Sequence, residues 1–154
     1  TWGIDHGMWT VLVHMFPDAS IPVVQLSINK YLSPKEAYEL GEKLQSLRDE
    51  GYLIMGSGNI VHNLRRLEWE NPSGSPATIE FDQYITNAVL KNDVNTVINY
   101  FEHPQASYAV PTPDHYLPLI YLLGASEGTK PTVFNQTYNT GSLSMTGFIF
   151  EDTE

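Results

Sequence analysis

Three of the five histidines stand at breaks in the apolar patterning, each beside residues that turn the chain. His6 is framed as Asp5-His6-Gly7, His62 follows Gly56-Ser57-Gly58-Asn59-Ile60-Val61, and His115 closes Pro113-Asp114-His115. Junction histidines can converge on one cleft without belonging to a packed face, and an adjacent carboxylate can orient a ring nitrogen or bind a metal itself. Neutral imidazole with carboxylate is the ligand set of mononuclear non-haem iron, which keeps positions open for substrate and dioxygen. A histidine outside the metal's ligands could serve as acid or base. Each histidine also has a plainer reading as a structural or exposed side chain, and Asp5 is equally placed to cap the helix that follows it. His14, inside an apolar run, reads as packed or partly exposed, and His103, between Glu102 and Pro104, as surface.

Other chemistries find little support. The chain has no cysteine, so thiolate nucleophiles, disulfides and thiolate metal sites are excluded, and any transition metal falls to His and carboxylate. Gly56-Ser57-Gly58-Asn59 lacks the GK[ST] ending of a phosphate loop and the third glycine of a dinucleotide fingerprint. No serine stands in a G-x-S-x-G elbow. Eight Lys+Arg against 18 Asp+Glu give a formal charge of −10, which repels nucleic-acid backbones and anionic membranes. No apolar run reaches the roughly 20 residues of a membrane helix, and no leader pattern opens the chain, so cytoplasmic residence is the expectation. Three tryptophans and nine tyrosines suit an aromatic substrate as well as ordinary packing.

The elements that must position these residues read as an α/β chain of one domain. Residues 8–16 suggest a short buried helix ended by Pro17-Asp18. Residues 22–28 and 52–57 are short, nearly continuous apolar runs, as in strands covered on both faces. Between them Ser33-Pro34-Lys35-Glu36 is a capping box opening a helix through Ala37, Leu40, Leu44 and Leu47, stopped by Gly51. Residues 22–57 thus predict a right-handed βαβ crossover with parallel strands. It would place the Gly58-Asn59 loop and His62 at the strands' carboxyl edge, where ligands bind in open α/β sheets. Helices are expected over 78–90 and 93–101, and one from the Thr112 cap through Pro113 to Gly124. Segments 131–138 and 143–150 read as a hairpin around Asn139-Thr140-Gly141 that joins the sheet.

The strings Trp2-Gly3-Ile4-Asp5-His6-Gly7-Met8-Trp9, Ile21-Pro22-Val23-Val24-Gln25-Leu26-Ser27-Ile28, Leu47-Arg48-Asp49-Glu50-Gly51, Gly56-Ser57-Gly58-Asn59-Ile60-Val61-His62-Asn63-Leu64, Pro111-Thr112-Pro113-Asp114-His115-Tyr116-Leu117-Pro118-Leu119 and Gly141-Ser142-Leu143-Ser144-Met145 resemble, in order, the class III extradiol dioxygenases of the DOPA 4,5-dioxygenase-like branch. The resemblance covers essentially the whole chain. It implies a central mixed β-sheet flanked by helices, and ring opening of a catechol next to its two hydroxyls by insertion of both atoms of dioxygen. A divalent metal is implied, Fe(II) for activity and Zn(II) in isolated enzymes, with His62 and His115 as its ligands by position. In more distant relatives the counterpart of His62 acts instead as acid/base and a carboxylate completes the metal shell, which makes Asp114 a rival to His115. His6 matches a histidine that contacts substrate or moves protons, and Asn59 and Trp9 are the further substrate contacts expected.

The family's N-terminal half carries two more metal-site histidines, in Gly-His-Gly and Ser-x-His-Trp contexts that do not occur in these residues. Residues 1–154 therefore read as the C-terminal portion of one catalytic domain. A fragment, a partner of a separate N-terminal chain, or a degenerate relative that only binds metal or ligand would each fit. The intact motifs and the start at Thr1 without Met favour the first two.

Overall fold

The computed structural model describes residues 3–152. The helices are α1 (His6–Met15), α2 (Pro34–Glu42), α3 (Ser46–Asp49), α4 (Pro76–Leu90), α5 (Val94–Ile98), α6 (Ala106–Ala109) and α7 (Leu117–Ala125). The strands are β1 (Lys130–Phe134), β2 (Tyr138–Asn139), β3 (Leu143–Ser144) and β4 (Gly147–Glu151). Trp2, the first tryptophan of the motif strings, lies outside the described residues.

The α/β class expected from the sequence is the observed one, with helices around small sheets. Local signals do what the sequence predicts. Ser33 and Glu36 close a capping box, Glu36 N–H to Ser33 Oγ at 3.3 Å and Ser33 N–H to Glu36 Oε2 at 2.8 Å. α4 begins two residues ahead of the expected 78, with Ser75 as a cap that was not foreseen and Pro76 in its first turn. The helix from Ser33 is interrupted after Glu42 and resumes as α3, and Gly51 leaves it at φ 86°, where a side chain is strained. The expected helix at 93–101 is α5 followed by a 3-10 turn at Tyr100–Glu102, and Pro113–His115 is likewise a 3-10 turn ahead of α7.

Helix α2 packs on α7, and the sequence permits it through a pair of glycines. A Cβ on Gly41 would lie 2.2 Å from the Tyr121 carbonyl oxygen, and one on Gly124 the same distance from that of Tyr38. The two backbones therefore touch. Phe81, Ile85 and Val89 of α4 meet Leu117 and Ile120 of α7 and the loop residue Val61 in one fully buried core.

The terminal hairpin forms with the expected turn. β1 pairs antiparallel with β4, Phe134 opposite Gly147, and β2 with β3, Tyr138 opposite Ser144. Three residues on one arm face two on the other between those pairs, so the register slips by one residue where Asn135 takes φ 47°.

Three expectations need correction. α1 forms where expected, capped by Asp5, but it is not buried: Trp9, Val11, Val13 and Met15 are each about half exposed. Segments 22–28 and 52–57 run without a ladder, and the βαβ crossover is not formed among the described residues. A strand completes its hydrogen bonds only against a neighbour, and Val24 and Leu53, 88% and 69% exposed, have no covering layer here. His103 is not a surface residue. Its side chain is 11% exposed, with its ring against Tyr84 and edge-on to Phe81. Among the described residues no helix is long and apolar enough to cross a membrane.

Candidate functional site

The loop Gly58–Asn63 and the 3-10 turn Pro113–His115 are laced together by backbone and amide groups. Asn59 N–H donates to the His115 carbonyl at 2.9 Å, and His62 N–H to that of Ala109 at 3.0 Å. Gly58 allows the first contact, since a Cβ there would sit 2.2 Å from His115 O. On the other side β3 lines the loop: Ser144 N–H donates to Val61 O at 3.0 Å, Asn59 Nδ2 to Ser144 O at 2.7 Å, and Leu143 bridges His62. Asn63 is buried, donates to Tyr108 O at 2.6 Å, and caps the 3-10 turn at Leu64–Arg66.

This lacing brings His62 and His115 face to face. Their ring centroids are 3.5 Å apart and their planes 11° from parallel. The Asp114 carboxylate lies 3.6 Å from His115 Nε2. Burial lowers the pKa of His62, the neighbouring His115 lowers it further, and Asp114 offsets part of the shift. His62 is therefore a neutral imidazole near pH 7, with a lone pair available. Asp114 is held below the ordinary carboxylate range, chiefly by its hydrogen bond with the Thr112 side chain and then by its own backbone amide and the two histidines.

Next to His115 opens a groove of about 120 Å³. Gly56, Gly58 and Asn59 form one wall, Pro118 and Leu122 of α7 another, and Phe148 and Phe150 of β4 a third. Its walls are apolar and aromatic, as ligand pockets generally are.

Of the predicted site residues, His62, His115, Asp114 and Asn59 come together. His6 and Trp9 do not share their contacts. The His6 ring is 85% exposed and lies 3.5 Å from Asp5, and Trp9 is half exposed on the same helix. Gly7 of α1 lies beside Ser57, just ahead of the site loop, an added Cβ there being 3.5 Å from Ser57 Oγ.

Two imidazoles and a carboxylate are the right donor types for a non-haem divalent cation. The number and the aim fall short. Lone pairs lie in the ring plane, and the two nearly parallel planes are stacked with centroids 3.5 Å apart, so one ring must turn before both can meet one ion. Among the described residues no group of three or more His, Cys, Asp or Glu is placed to hold a metal. These residues fit part of a metal site.

The sequence reading missed a buried network behind the loop. Asp82 of α4 is fully buried and accepts hydrogen bonds from Ser144 Oγ and, at 3.1 Å, from Tyr138 OH. Burial first, then Asp82, pushes the Tyr138 phenol up to about 12. The signal was present. Thr78, Asp82, Ile85 and Val89 fall at helical spacing on one face, which puts a carboxylate in a core stripe.

The family model described as the catalytic LigB subunit of aromatic ring-opening dioxygenase matches residues 1–150, and the chain belongs to that family. Within it the chain falls in the extradiol, DOPA dioxygenase-like branch. It is 44% identical over 149 residues to the 4,5-DOPA dioxygenase extradiol of Escherichia coli K12, covering 94% of this chain and 55% of that one. To the protein of the same name from Beta vulgaris it is 33% identical over 153 residues, covering 98% and 57%. The crystal structure of an uncharacterized Escherichia coli K12 protein superposes with a TM-score of 0.87 at 41% identity, over 96% of this chain and 63% of that one. The chain thus spans little more than half the length of these curated relatives.

Proposed function

We propose that this chain is the C-terminal portion of an extradiol dioxygenase domain that opens the ring of a catechol-type substrate. The observation that carries the reading is the His62 ring stacked on His115, with Asp114 beside it and an aromatic groove alongside. The relatives named 4,5-DOPA dioxygenase support a catechol as the substrate class. The reaction balances without a further reductant, because both atoms of dioxygen end in the product as the ring bond beside the hydroxyls breaks.

His62 and His115 are the metal ligands of this reading, Asp114 being the rival to His115, with Fe(II) for turnover and Zn(II) as the ion retained on isolation. When bound, the cation supplies Lewis acidity toward the catechol oxygens and redox access to dioxygen. The chain's own residues prepare the rest. Where Asp114 takes its place on the metal, His62 keeps its lone pair free and can accept the proton a catechol hydroxyl loses. Asp114, held anionic, favours a positive charge arising on either imidazole. Asn59 has its Nδ2 committed to Ser144 O and Met145 Sδ, which leaves Oδ1 to receive a substrate hydroxyl. His6 and Trp9 are the substrate contacts offered by α1.

The remaining ligands come, in this reading, from an N-terminal half of the same fold. The half-exposed apolar residues of α1 and of segments 21–26 and 52–55 form the surface it would cover, since contiguous apolar patches of this extent mark interaction sites.

The test is oxygen uptake and a yellow ring-opened product from a panel of catechols, with Fe(II) added to the protein carrying both halves. His62→Ala should abolish turnover and leave the fold intact. Turnover surviving that substitution would remove His62 from the centre. Stoichiometric metal without oxygen uptake on any catechol would favour a metal-binding relative without catalysis.

A further inference from the structure

Asp82 is a carboxylate buried without a cationic partner. No described salt bridge includes it, and its hydrogen-bond donors are the hydroxyls of Ser144 and Tyr138. Burying such a group is costly unless it is well hydrogen-bonded, and an apolar residue would serve the core of α4 as well. The use of the carboxylate lies in what Ser144 does next. Its amide donates to Val61 O, its carbonyl receives Asn59 Nδ2, and its neighbour Leu143 bridges His62. Ser144 belongs to a ladder of two residues per strand, too short to hold its place alone.

We propose that Asp82 is a positioning residue for His62, acting through Ser144. Asp82 fixes the Ser144 side chain to α4, and the Ser144 amide and carbonyl in turn hold the Val61 carbonyl and the Asn59 side chain of the His62 loop. Tyr138 shares the carboxylate and lies opposite Ser144 on β2, but among the described residues its hydroxyl bonds Asp82 alone, so it reaches the His62 loop only through the β2–β3 backbone pairing, which a phenylalanine keeps. The inference rests on the reading of His62 as the central imidazole of the site.

That asymmetry gives the experiment. Ser144→Ala, Asp82→Asn and Tyr138→Phe are compared in the protein with both halves. The readouts are the His62 ring-proton resonances, which carry the ring-current signature of the His115 stack, and steady-state kinetics with a catechol. Ser144→Ala and Asp82→Asn should move the His62 resonances and lower kcat about 10- to 100-fold, as loss of a supporting partner does, with KM changed less than about 2-fold. Tyr138→Phe should leave the resonances and kcat near wild type while lowering the unfolding midpoint. Should Asp82→Asn fail to fold, Ser144→Ala carries the test. Equal effects of Ser144→Ala and Tyr138→Phe, or His62 resonances unmoved by Ser144→Ala, would overturn the proposal. If the wild type turns over no catechol, the proposed reaction falls, and the resonances alone decide the role of Asp82.

Discussion

The imidazoles of His62 and His115 lie face to face at 3.5 Å, although the residues come from separate loops far apart in the chain. Two rings at that distance cannot both be charged without mutual repulsion, and burial already disfavours the charged form of His62.

A pH dependence follows with a definite sign. The folded pKa of His62 lies below its ordinary value of 6.5, so the unfolded chain binds the proton first as pH falls. The contribution of His62 to stability is complete above pH 6.5 and is lost as pH falls toward its lowered folded value. Asp114, lowered from 3.8, gives a second loss that starts only below that pH. Urea midpoints measured from pH 8 to 3 should fall in two stages, and His62→Gln should remove the upper one. An upper stage unchanged in that variant would assign it to another group.

Metal binding should unstack the rings. A cation held at about 2.0–2.1 Å from an imidazole nitrogen must lie in the ring plane, so Zn(II) shared by His62 and His115 requires one ring to turn. Titrating Zn(II) should shift the ring resonances of both histidines together and abolish the stacking signature, and a chelator should restore it. Movement of the His115 and Asp114 signals alone would make those two the ligands.

Gly58→Ala should damage the site from behind. The added Cβ would lie 2.2 Å from the His115 carbonyl oxygen, a backbone clash that costs about 1–3 kcal/mol and breaks the Asn59-to-His115 hydrogen bond. Thermal unfolding should report the loss, and His115 should become more accessible to diethyl pyrocarbonate. Unchanged stability would mean that the two loops separate freely.

Ser33→Ala should cost about 1 kcal/mol through the lost cap of α2 without touching the site. Unfolding in urea measures the first, and unchanged His62 and His115 resonances check the second. A change in those resonances would reveal coupling from α2 through α7.

The accuracy of the sequence reading followed the range of the interactions involved. The Asp5 and Ser33 caps and the turn at 139–141 depend on neighbours within a few residues, and each formed as expected, whereas Thr112 makes no side-chain cap. Segments 22–28 and 52–57 were read as strands from composition that suits a covered strand, but a ladder needs a second strand, and none pairs with them among the described residues. His103 looked exposed between a glutamate and a proline, yet Phe81 and Tyr84, brought over by α4, close around it.

The sequence by itself determined which residue types stand where chemistry could be placed: imidazoles and a carboxylate at turns, no thiol, and motif strings in family order. Tertiary structure decided which of them meet. It stacked His62 on His115 and kept His6 with Asp5 on an exposed helix. It also recruited Asp82, whose helical position marked it as buried but whose partners Ser144 and Tyr138 come from a distant hairpin. Spacing along the chain encodes local geometry, whereas the meeting of remote loops rests on hydrogen bonds such as those from the Asn59 and His62 amides to the His115 and Ala109 carbonyls.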